Sequence, residues 1–255
     1  MIPLTRLIGR RLSEAAGRSR QRLRDVVVDV TEPDGVATGL LLGRSAHARF
    51  VPWRDVRLHP RTGMPTQFVD GHPRAVVTGS ELLLVRDVLD SRVYDVRARR
   101  TDRVAEVWLE LREGRLEVAG VEVGARAMVR RLLPIEPSDR ASTAPRMLLP
   151  LSAIHLMSPG GHRAQLSSAG SPVHRLSGAG TAHLLTHLPP DAAAELARRL
   201  PEQHRRRVVQ RLHPRVGDRL RQALGSGSPA RRPRTRRTDG WRLFLPPEDD
   251  HKGPR

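Results

Sequence analysis

Cysteine is absent from all 255 residues, which removes disulfides, thiol nucleophiles and thiolate metal sites and fits a reducing compartment. Aromatic residues are nearly as scarce, with three Phe, three Trp and one Tyr. Platforms on which bases could stack are therefore few, and the cores must be small and aliphatic. No run approaches the roughly 20 apolar residues that cross a bilayer. Arg6, Arg10 and Arg11 interrupt the apolar residues of 1–12, so no signal-peptide core is expected there. These absences describe a cytoplasmic protein, at most peripheral to the inner face of a membrane.

Lysine is the next omission, since Lys252 stands alone among 45 basic residues. GC-rich coding explains the choice of arginine but not the formal net charge of +18. That excess is local. Residues 198–237 hold 14 arginines against two acids, Glu202 and Asp218, a net of +12. Candidate polyanion-binding residues are Arg198, Arg199, Arg205, Arg206 and Arg207, followed by Arg231, Arg232, Arg234, Arg236 and Arg237. RNA or an anionic membrane surface would be bound by charge alone, without base-specific readout.

What the chain does contain is a copy of itself. Shifted by 81 positions, residues 4–43 fall on 85–124 without a gap: Leu4 meets Val85, Asp25 meets Glu106, Val26 meets Val107, Gly39 meets Gly120 and Gly43 meets Gly124. The match resumes at an offset of 98, residues 50–58 falling on 148–156. A repeat of this length decides architecture before any local motif. Within each copy apolar residues alternate, Val26, Val28 and Val30 against Asp25, Val27 and Asp29, and Val107, Leu109 and Leu111 against Glu106, Trp108 and Glu110. Half-buried strands are expected, with turns at 32–35 and 112–115 and a small antiparallel barrel in each copy. Residues 134–145, rich in Pro, Ser and Arg, read as a loop.

A shorter period follows. Leu176, Leu188, Leu200, Leu212 and Leu224 are spaced by 12, and Pro189, Pro201 and Pro214 open successive units, with Asp191 and Glu202 in first turns. Proline and an acid at the start mark helix N-termini, and helices this short must stack to persist. The expected organisation is α+β: one barrel over 1–78, a second over 79–157, a Ser/Gly-rich linker over 158–175, a helical array over 176–224 and a disordered basic tail over 225–255.

No catalytic set stands out, so the chain is not expected to be an enzyme or to bind a small-molecule substrate. His183 and His187 have the helical i,i+4 spacing by which two imidazoles can share a metal, but no third ligand accompanies them. Asp95, Asp102, Glu106 and Glu110 could offer oxygens to a hard cation such as magnesium. Alternating acids more often form the wet face of a strand, and no metal or other cofactor is expected.

The repeated unit resembles the PRC-barrel family. The resemblance rests on residues 7–12, 22–29, 36–40 and 49–56 of the first copy and 88–95, 103–107 and 149–154 of the second. It implies two PRC-type barrels over about 1–157, a module that serves interaction rather than catalysis in the photosynthetic reaction-centre H subunit and in a ribosome-maturation factor. Residues 183–196 through 200–214 look like the cytosolic N domain of MgtE-type magnesium transporters. The CBS pair, membrane helices and acidic seam of those transporters are missing, so neither transport nor magnesium gating is implied. Together the resemblances imply a non-enzymatic scaffold or regulatory protein that binds another protein, possible partners including a membrane transporter. The alternative they leave open is an RNA- or ribosome-associated factor.

Overall fold

The duplication is written in the hydrogen bonds. A computed structural model describes residues 1–17, 19–31, 35–43, 48–69, 79–124 and 147–225. In the first copy, β1 (Ile2–Pro3) leads into one helical turn, α1 (Leu4–Leu7), then β2 (Arg11–Glu14), β3 (Arg20–Asp29), β4 (Val36–Leu42) and β5 (Arg49–Pro52). A 3-10 turn at Trp53–Asp55 precedes β6 (Val56–Leu58), and β7 (Pro65–Phe68) follows. The second copy runs β8 (Glu81–Leu83), a π-helical turn (Leu84–Val88), β9 (Arg92–Asp95), β10 (Arg100–Arg112), β11 (Arg115–Val123), a 3-10 turn (Leu151–Ala153) and β12 (Ile154–Leu156).

The two central hairpins have one register. Val26 faces Leu40 where Val107 faces Val121, and Val27 faces Gly39 where Trp108 faces Gly120. Bulges fall between Leu23 and Asp25 and between Val27 and Val28, and again between Val104 and Glu106 and between Trp108 and Leu109. Val26 and Val107 are both fully buried in the same core, as their equivalence requires. The shared glycine serves close approach: a Cβ on Gly39 would lie 2.4 Å from the Val51 carbonyl oxygen, and one on Gly120 would lie 2.9 Å from Leu148 Cβ. Those neighbours belong to the segments related by the second offset, Val51 pairing with Leu40 and Leu149 with Val121. The turn at 112–115 is a two-residue hairpin in which Glu113 and Gly114 both have positive φ, matching the strand twist.

Two expectations need correction. The central strands are covered on both faces rather than half-buried. The first bulge inverts the alternation, so Leu23 and Val26 enter the main core, while Val27 packs with Leu41, Phe50 and Leu83 in a second one. The sheet is also mixed rather than purely antiparallel, because β2 and β7 run parallel. The path is β12-β9-β10-β11-β4-β3-β2-β7-β6, with β1 on β10, β5 on β4 and β8 on β3. Strand β7 sits between β2 and β6, whereas their counterparts β9 and β12 pair directly.

The first strand of each copy pairs with the other copy. Ile2 faces Leu109 and Pro3 faces Trp108, while Leu82 faces Val28 and Leu83 faces Val27. This exchange makes Ile2 the counterpart of Leu82, one residue off the gapless match. The π turn takes up the difference: Ile8 donates to the Leu4 carbonyl, but Leu89 donates to that of Leu84, a loop one residue longer. Beyond it the offset of 81 returns, with Gly9 donating to Leu23 and Asp90 to Val104, both in positive φ.

Helices make up the rest, which completes an α+β fold. The segment expected as a linker holds α2 (Pro159–Ser167) and a 3-10 turn (Pro172–Arg175). Ser158 caps α2, and Ala164 and Leu166 are buried, so the Ser and Gly content marked helix starts rather than slack chain. Then come α3 (Gly178–His187), α4 (Pro190–Arg199), α5 (Glu202–Val209) and α6 (Pro214–Gly225), each starting 12 residues after the last. Helix α3 packs on α5, and α4 packs on α6. The loop at 134–145 and the arginines of 231–237 lie outside the described residues.

Candidate functional site

The buried charges come first, because their placement constrains everything built over them. Asp25, read from the sequence as a solvent-facing acid, is fully buried. Its carboxylate accepts the backbone N–H groups of Val26 and Val85 at 2.8 Å and of Arg86 at 3.2 Å, so the first copy caps the π turn of the second. Burial pushes its pKa up to about 7, against the pull of the N–H donors and with help from nearby Asp87. Glu106 reciprocates. It accepts the Thr5 N–H at 3.2 Å, the Thr5 hydroxyl and its neighbour Val107 N–H at 3.0 Å, so the second copy caps α1 of the first. The sequence signal was available: an acid kept at one position in both copies inside a valine strand.

The helical array docks on the second copy through Tyr94, whose counterpart in the first copy is Ser13. The Tyr94 ring belongs to the apolar cluster of the array, with Leu166, Val173, Leu184 and Leu188. Its hydroxyl lies 2.8 Å from His183 Nδ1, and burial raises its pKa. His183 and His187 do come together, ring centroids 4.8 Å apart, but around this tyrosine. Burial first, then His183 and Arg92, lower the His187 pKa.

A second contact is a buried histidine pair. His155 Nε2 on β12 and His162 Nδ1 on α2 lie 2.8 Å apart, with rings edge to face. Burial holds His155 down to about 3, with repulsion from His162 adding to it. For His162 burial also dominates, the Ala192 backbone opposes, Arg199 and Arg163 add repulsion, and the value is about 4. Both rings are neutral at ordinary pH. Gln165 of α2 completes the joint, accepting from Leu156 N–H at 2.6 Å and donating to the Ile154 carbonyl at 2.9 Å. One amide thus satisfies backbone groups of β12.

Where array and sheet meet, an open cleft of about 390 Å3 remains, lined by Arg86, Leu89, Asp90, Ser91, Arg92, Met157, Ser158, His187 and Pro189. Its polar groups are partly committed. Arg86 donates to the buried Asp87 carboxylate at 2.8 and 2.9 Å, Ser91 donates to the Val88 carbonyl, and Ser158 donates to that of Asp87.

The sequence-predicted arginines take another place. On α4, Leu196 and Ala197 are buried while Arg198 and Arg199 are exposed; on α5, Val208 is buried while Arg206 and Arg207 are exposed and Arg205 is partly so. Glu202 pairs with both Arg205 and Arg206, and Arg199 lies 3.6 Å from Glu195. Arg198 reaches the Ala223 carbonyl at 3.4 Å. The helical candidates are therefore exposed or partly so, each on its own helix, and Arg231, Arg232, Arg234, Arg236 and Arg237 lie outside the described residues. The candidate cation oxygens do not converge. Glu106 holds Thr5, Asp95 accepts from Arg97 and Ala98 N–H, Asp102 pairs with Arg100, and Glu110 pairs with Arg112. Among the described residues no three His, Asp or Glu side chains gather as a metal site.

No family model, curated protein or solved structure matches the chain. Among the described residues no helix is long and apolar enough to cross a membrane.

Proposed function

We propose that this chain is a non-enzymatic scaffold or regulatory protein, built from two PRC-type barrels locked together and an MgtE-N-like helical array carried on the second. The barrel reading is supported by the bent route of each copy, in which β5 turns through Trp53–Asp55 into β6 and residues 148–150 turn through Leu151–Ala153 into β12. The observation that carries the functional reading is the division of labour between the copies. One hairpin register is kept in both, while the second copy offers the side chains of Tyr94 and His155 to the helices and the first copy a backbone carbonyl, that of Val30, which accepts from Ser168. A scaffold that holds a helical array in a fixed pose suits presentation of a surface to a partner better than it suits chemistry.

The presented surface is basic, so the partner is a protein with an acidic face, a membrane transporter among the candidates. Magnesium is not required by this reading. A second reading, RNA or ribosome association, is favoured by the outward arginines of α4 and α5, which can neutralise phosphates without reading bases. Purification of the tagged protein from its own cells, with and without nuclease, separates the two. Partners that survive nuclease support the scaffold, ribosomal RNA lost with nuclease supports the alternative, and an empty eluate contradicts both.

A further inference from the structure

The exchange between copies defines a groove and the segment that fills it. On the second copy the groove is bounded by β10 and by Glu106. Its occupant is residues 2–7, with Ile2 and Pro3 laid along Leu109 and Trp108, Thr5 held by Glu106, and Leu4 and Leu7 fully buried. The first copy repeats the device, its β3 and Asp25 holding residues 81–88. In both cases the occupant comes from the other unit, so segment and groove fit without being parts of one continuous module. Both segments end at a left-handed residue, Gly9 with φ 83° and Asp90 with φ 60°.

The two plugs are not held alike. Residues 81–88 are braced within, Asp87 receiving Leu83 N–H and the Arg86 guanidinium, and fastened from outside by Ser158 on the cap of α2, which donates to the Asp87 carbonyl. Residues 2–7 have two ladder residues and the Thr5 contacts, and Gly9 has nothing within 4 Å of where a Cβ would stand. A strand supplied by another chain can replace one supplied in cis, since the groove reads main-chain pairing, alternate apolar residues and, through Glu106, the Thr5 N–H and hydroxyl, all of which a second copy carries.

We infer that the groove on β10 is a docking site for residues 2–7 of a second copy of this chain, giving a dimer in which two molecules swap this segment. The cis segment has the advantage of high effective concentration, so the dimer forms when the segment is released and closed again among crowded neighbours. Gly9 is the hinge, and a β-branched residue there disfavours the closed left-handed turn.

Full-length protein is unfolded in denaturant and refolded at low and high protein concentration, then sized by light scattering after gel filtration. A dimer that grows with refolding concentration is expected, increased severalfold by Gly9→Val, and containing both chains when two differently tagged proteins are refolded together. A labelled synthetic peptide of residues 1–10 should be captured when refolded with a full-length Leu4→Ala chain and not with a Leu4→Ala, Glu106→Ala chain. Circular dichroism identifies any variant that fails to fold. Glu106→Gln, which keeps an acceptor oxygen, then replaces Glu106→Ala and should capture less peptide. Monomer at every concentration with no peptide captured overturns the inference. So does a dimer indifferent to both Gly9→Val and the peptide, because it would use another surface.

Discussion

At the scale of single residues, two buried features pull stability in opposite directions as pH changes. Asp25 has a folded pKa raised to about 7 from 3.8, so its contribution is complete at low pH and is lost as pH rises through 7. His155 and His162 have folded values lowered to about 3 and about 4 from 6.5. Their contribution is complete above 6.5 and is lost as pH falls toward those values. At pH 5 each neutral ring forfeits about 2 kcal/mol relative to pH 7, since each unit of unmatched protonation is worth ~1.4 kcal/mol. Urea unfolding of a His155→Leu, His162→Leu chain should therefore lose less stability between pH 7 and 5 than wild type. Equal losses would mean that the pair is not neutral in the fold. Asp25→Ala leaves three backbone N–H donors without an acceptor, and its cost, about 2–4 kcal/mol at acid pH, should shrink as pH rises through 7.

At the scale of elements, the duplicated hairpin makes a paired test. Gly39→Ala and Gly120→Ala should each destabilise by about 2–4 kcal/mol, since the new methyl meets backbone or Cβ atoms that cannot move aside. Gly114→Ala, with open space around its Cβ site, has only the cost of its positive φ, about 1 kcal/mol. Thermal denaturation of the three variants should show that ranking, and a mild Gly39→Ala would place the returning strand elsewhere. The strands and the 12-residue helical period were legible in sequence because each repeats, so chance alternation could be told from pattern; the turn at 112–115 was legible from its glycine, and the one expected at 32–35 lies mostly outside the described residues. The bulges were not legible: they shift register without changing composition, and they turned Asp25 and Glu106 from a presumed wet face into the core. Nor was the helix over Pro159–Ser167, whose glycines and serines imitate a linker until Ser158 is seen capping it. The exposure of Arg198, Arg199, Arg206 and Arg207 follows from the apolar period of α4 and α5, because a solvated face is what remains once Leu196 and Val208 are buried.

At the scale of the whole molecule, Tyr94 is the aromatic side chain on which helices α3–α6 are seated, beside the joint that α2 makes with β12. Tyr94→Ala should loosen the helices while sparing the sheet. Limited proteolysis would then cut within 178–225 while residues 1–124 persist, and an unchanged digest would contradict that seat. The basic surface makes its own claim: replacing Arg198, Arg199, Arg206 and Arg207 with Gln should weaken binding to RNA or anionic vesicles and flatten its salt dependence in proportion to the phosphates no longer contacted. A full salt slope after substitution would move the interaction off this face.

The central claim is that the two copies are a single interlocked unit, each completed by the first strand and turn of the other. A protease site inserted between residues 70 and 78 tests it most directly, because cutting there leaves the covalent units separate and the exchanged segments in place. After cleavage the fragments are expected to co-elute at the mass of the intact protein and to unfold in one transition whose midpoint rises with concentration. Two folded fragments that separate on the column, each melting on its own, would contradict it.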